Sequence, residues 1–108
     1  MTVLTIRSHR RYAVRQPVSL RKPGARAADG LMIELSSEGC RISNLGRGDF
    51  AVGEEVTLEI GERRLAGRIR WAHDGIAGVR LNTALFSSQL AELIAIGRGE
   101  DELPRYGT

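Results

Sequence analysis

The chain has 108 residues, 42% hydrophobic and 27% charged, with a net charge of +3 at pH 7 and a pI of about 9.7. That is one domain with one modest core, and no apolar run approaches the ~18 residues that a membrane helix needs. The lone Cys40 excludes an internal disulfide, and without an apolar stretch behind a basic start no secretory leader is expected, so the expected compartment is the cytoplasm.

Residues 1–16 are polar and basic, show no sustained period, and are expected to form a flexible arm. Arg7, Arg10, Arg11, Arg15, Arg21, Lys22 and Arg26 all precede the first acid, Asp29, so the positive charge is concentrated where it can meet an anionic partner. From Pro17 the pattern alternates with period two. Val18 and Leu20 begin a first strand, which Lys22-Pro23-Gly24 turns. Leu31, Ile33 and Leu35 alternate with Met32 and Glu34 in a second strand that ends at Ser36-Ser37-Glu38-Gly39. Cys40 and Ile42 carry a third. The segment 44–53 holds three glycines and reads as a loop.

Val56, Leu58 and Ile60 make a half-buried fourth strand, and Gly61-Glu62 a two-residue hairpin turn. Leu65, Gly67, Ile69 and Trp71 share the inner face of a fifth, with Arg64, Arg68 and Arg70 outside. His73-Asp74-Gly75 turns into a sixth, where Ala77, Val79 and Leu81 face in and Arg80 faces out. After Thr83 the period changes to three and four. Leu85, Phe86, Gln89, Leu90, Leu93 and Ile94 then mark an amphipathic helix, with Ser87 or Ser88 as N-cap and Gly97 as stop. Six short strands without an intervening helix predict a mainly β fold. A closed six-stranded antiparallel β-barrel with a C-terminal α-helix is favoured, because closure removes exposed edges. The expected division is a basic arm at 1–16, barrel and helix at 17–96, and a polar tail at 97–108.

Two short motifs bear on function. Arg10-Arg11-Tyr12-Ala13-Val14-Arg15 places three guanidinium groups within six residues, and planar guanidinium forks suit phosphate oxygens. Glu34-Leu35-Ser36-Ser37-Glu38-Gly39 is a polar turn in which Ser36 bonds backbone and Gly39 takes a left-handed conformation. Together they resemble the signature of the PilZ domain family, Arg-Arg-x-x-x-Arg followed by Asp/Asn-x-Ser-x-x-Gly. Arg10, Arg11, Arg15, Ser36 and Gly39 match, and Glu34 stands where that family has Asp or Asn. The order of arm, six strands and helix is also similar to that family's.

The resemblance implies a receptor for cyclic di-GMP, whose phosphates Arg10, Arg11 and Arg15 would clamp and whose guanine N–H donors Glu34 would accept, beside Ser36 and Gly39. It further implies that ligand orders the basic arm and that the signal passes to a separate protein, in motility, secretion or polysaccharide synthesis. An interaction module of the same fold that does not bind nucleotide is the alternative, motivated by Glu34. A single-stranded nucleic-acid binder would need exposed aromatics for base stacking. With Trp71 in the core only Tyr12, Phe50 and Tyr106 would remain, so nucleic acid is not the expected partner. His9 and His73 lack further ligands at metal spacing, and Asp74 beside His73 has no nucleophile near it in sequence. No catalytic residue, metal or cofactor is expected.

Overall fold

The computed structural model describes residues 10–46 and 49–98. Six strands, β1 (Tyr12–Arg21), β2 (Ala28–Leu35), β3 (Gly39–Ser43), β4 (Glu55–Ile60), β5 (Arg63–His73) and β6 (Ile76–Leu81), precede one helix, α1 (Ser87–Gly97). The strands are antiparallel and close into a barrel in the order β1-β2-β3-β6-β5-β4, with β4 returning to pair with β1. Inward apolar side chains fill it: Leu20, Met32, Leu35, Ile42 and Leu58 are wholly buried, and Ile69 and Val79 nearly so. The turns follow their sequence. Asp74 and Gly75 both take positive φ, 52° and 77°, as a two-residue hairpin of the primed type requires, and Gly61 turns β4 into β5 at φ 60°.

The first strand begins at Tyr12, five residues before Pro17, so Arg15 lies on β1 rather than in an arm. Residues 1–9 of the expected arm and 99–108 of the expected tail lie outside the described residues.

Three irregularities bend the sheet at one end of the barrel. Val14 and Arg15 together face Ile33 between the pairs Ala13/Glu34 and Gln16/Met32. Ile33 itself has no partner on β3, and Arg70 none on β6. A bulge adds one residue and reverses the alternation beyond it. On β2 the inward set is therefore Met32 and Leu35, with Leu31 and Ile33 half-buried, not the expected Leu31, Ile33 and Leu35. On β5, Ile69 and Ala72 face the core and Trp71 turns outward.

Leu93 of α1 is buried, Leu90 and Ile94 pack on the same core, and Leu85 just ahead of the helix is buried too. Phe86, expected on that apolar face, is instead 73% exposed at the N-cap. Ser87 and Ser88 are the first helical residues rather than caps, and the Phe86 N–H donates to Gln89 Oε1 at 2.8 Å, which satisfies one of the orphan donors. At the other end Gly97 lies against Val14, and Arg98 Nε donates to the Ala13 carbonyl at 2.9 Å. The helix thus seats against the start of β1, beside the arginine motif. Among the described residues no helix is long and apolar enough to cross a membrane.

Candidate functional site

Strand register sets out a row of side chains on the outer surface. Glu34 of β2 pairs with Arg41 of β3, Arg41 with Gly78 of β6, and Gly78 with Trp71 of β5. Because Arg70 is the extra residue of the bulge, Trp71 joins this row instead of the core. Gly78 has no side chain, so the indole lies across β6 where a Cβ would collide with it. The Arg41 guanidinium then stands over the ring, 5.5 Å from its centroid, and His73 stacks on the same indole at 5.3 Å. A flat aromatic surface on a strand exterior, kept open by a neighbouring glycine, is a platform for a planar group.

The turn at 36–39 bounds the row. The Ser36 hydroxyl accepts the Glu38 and Gly39 N–H groups, each at 3.2 Å, and donates to the Gly39 carbonyl at 3.3 Å, so its bonding capacity is spent in shaping the turn. The turn is also tied to the body: Leu81 N–H donates to Glu38 O and Leu85 N–H to Ser37 O, both at 2.8 Å. Gly39 does not take the expected left-handed conformation. Glycine is needed because β6 passes so close that a Cβ would run into the Val79 carbonyl oxygen.

Arg11 closes the other side. It immediately precedes Tyr12, the register partner of Leu35, and so comes level with the Ser36 turn. The result is an open groove of about 300 Å³ whose lining includes Arg11, Glu34, Ser36, Gly39, Arg41 and Trp71, together with Glu38, Arg70 and Arg80. Four guanidiniums face two carboxylates there. Glu34 is 3.6 Å from Arg41 and Glu38 is 3.9 Å from Arg80, whereas Arg11 and Arg70 have no carboxylate partner among the described residues. Exposed pairs at such distances are weak, so the groove carries net positive charge in a form that an anion can use.

Of the six residues expected to form the site, the structure brings Arg11, Glu34, Ser36 and Gly39 to one groove. Arg10 and Arg15 do not line it. Arg10 leans over the Tyr12 ring at 6.0 Å, which Arg98 also approaches at 5.9 Å, and Arg15 is exposed on β1. Sequence reasoning missed Arg41 and Trp71 and read Arg70 and Arg80 as a solvated face. Arg68 does stay outside the groove, donating to Glu55 at 3.0 Å and to the Gly53 carbonyl at 2.9 Å. Cys40, also at the groove, is buried, and burial pushes its thiol up to about 12, leaving it neutral and unreactive. No cluster of His, Cys, Asp and Glu among the described residues could hold a metal ion.

Comparison with known proteins agrees with this architecture. The sequence model of the PilZ domain matches residues 5–96. Among solved structures, the fold is similar to a crystal structure of the PilZ domain of CeSA from a cellulose synthesizing bacterium. The TM-score is 0.61 at 18% identity, covering 85% of this chain and 98% of that one. A search of curated proteins finds no match.

Proposed function

The chain belongs to the PilZ domain family, and from that premise we propose that it is a non-enzymatic receptor for cyclic di-GMP that holds the nucleotide in the outer groove. Domains of this family are in general receptors for that messenger. The observation that carries the reading for this chain is convergence: Arg11, from one motif, meets Glu34, Ser36 and Gly39, from the other, over a platform formed by Trp71. Two guanidiniums that have no carboxylate partner among the described residues, Arg11 and Arg70, answer the two phosphates of a cyclic dinucleotide. The indole offers a face for a guanine base, and the Glu34 carboxylate an acceptor for its N–H edge. None of these roles requires a nucleophile or a general base.

The proposed switch is closure of the segment preceding β1. Arg10, now resting on Tyr12, and Arg11 swing over the bound phosphates, and the altered exterior is what a separate partner protein reads. Calorimetric titration tests the reading, with GTP and a short oligonucleotide as controls. Saturable binding is expected for cyclic di-GMP alone, and at a hundredfold excess over Kd the folded state should gain about 2.7 kcal/mol. A parent protein indifferent to cyclic di-GMP ends the proposal.

The pair of Glu34 and Arg41 favours a second reading, an interaction module that takes no nucleotide, since it commits the carboxylate that should receive guanine. Glu34→Asp separates the two. The shorter stem costs less entropy to fix and draws the carboxylate away from Arg41, which already sits at 3.6 Å. The receptor reading expects Glu34→Asp to bind cyclic di-GMP more tightly, by up to about tenfold, one hydrogen bond's worth. Failure of both parent and variant at low salt, where phosphate contacts are strongest, leaves the interaction module in its place.

A further inference from the structure

We propose that Arg41 makes base binding conditional on a phosphate: its guanidinium occupies the base platform in the free protein and leaves only for an anion that arrives with the base. This rests on the groove being a nucleotide site. Arg41 lies outside both sequence motifs, yet it is the central residue of the row, between Glu34 and Trp71. Its Cζ stands 5.5 Å from the indole centroid and its Nε 3.6 Å from Glu34 Oε1. A base stacking in the same place must therefore evict a cation from an aromatic face and strip a carboxylate of its partner. Either loss alone weakens any ligand.

Both losses are recovered by one class of ligand. A guanine edge presents two N–H donors that a carboxylate can accept side by side, which replaces Arg41 as the partner of Glu34. The displaced guanidinium then finds a phosphate oxygen on the same molecule, a charge-assisted bond that a bare nucleoside cannot offer. The Arg41 side chain is 45% exposed and on the outer face of β3, so it can swing without disturbing the core. Selectivity of this kind comes from a penalty that only the correct ligand cancels. Arg41 should hence weaken the binding of guanosine and strengthen that of cyclic di-GMP.

The test compares the parent, Arg41→Gln and Arg41→Lys, using cyclic di-GMP and guanosine as ligands. It also uses acrylamide quenching of Trp71, the chain's single tryptophan, without ligand. For Arg41→Gln, cyclic di-GMP should bind about tenfold more weakly and with less salt dependence. Guanosine should bind at least as well as to the parent, so that the ratio between the ligands narrows, and acrylamide should quench Trp71 more strongly. Arg41→Lys should restore cyclic di-GMP binding. Equal losses for both ligands, or no change for either, overturn the inference while leaving the receptor reading intact. If guanosine is too weak to register in both proteins, unchanged quenching overturns it and increased quenching upholds it. A parent that binds neither ligand overturns the receptor reading, and this inference with it.

Discussion

Arg11→Ala should weaken cyclic di-GMP binding by roughly tenfold to several hundredfold and leave the melting temperature of the free protein almost unchanged. A charge-assisted hydrogen bond contributes about 1.5–3 kcal/mol, and about 1.4 kcal/mol corresponds to a factor of ten in affinity. Arg11 is the motif arginine that lines the groove, and among the described residues it has no carboxylate partner. Its guanidinium is therefore available to phosphate without first breaking an ion pair. It is exposed and precedes β1, so its removal opens no cavity and breaks no ladder bond. Arg15→Ala provides the internal comparison: exposed on β1 and away from the groove lining, it should lose less. Calorimetry reads the affinities and differential scanning calorimetry the stability. Parent-like affinity in Arg11→Ala would show that the phosphate is held elsewhere.

The fold was legible in the sequence because most of it obeys one rule. Val56, Leu58 and Ile60, or Ala77, Val79 and Leu81, alternate without interruption, and each is buried as period two requires. Asp74-Gly75 has the chemistry of its turn. The candidate site was legible only in part, because it sits where that rule fails. Nothing local marks Ile33 or Arg70 as an extra residue. Each becomes one only when the partner strand sets the register, and each then reverses the faces beyond it. Trp71 in phase with Leu65 and Ile69 reads as core, yet one bulge places it on the exterior beside Arg41. Met32 moved the other way, into the core. The purpose of Gly78 is visible only once the indole lies across it. The arginine motif announced its chemistry but not its geometry, because which of Arg10, Arg11 and Arg15 reaches the groove depends on where β1 begins.

Two glycines of the groove should separate stability from binding when each is changed to alanine. In Gly39→Ala the new methyl meets the Val79 carbonyl oxygen and the Arg80 backbone. Neither can retreat, because Gly39 pairs with Arg80 in the ladder between β3 and β6, so the ladder must open. Overpacking of this sort costs about 1–3 kcal/mol, and in a domain of this size each kcal/mol lowers the melting temperature by about 4–8 °C. In Gly78→Ala the obstacle is the Trp71 indole, a side chain on the outer surface that can rotate into solvent while the strands stay paired. Stability should change far less, but the platform is lost. Stacking of a base on an aromatic ring contributes about 1–3 kcal/mol, which corresponds to a loss of roughly fivefold to over a hundredfold in affinity. Thermal melts of both variants without ligand, followed by titration at a temperature where both are folded, read the two effects apart. Should Gly78→Ala bind cyclic di-GMP as the parent does, Trp71 is not where the base lies, and the four guanidiniums of the groove would be holding phosphate alone.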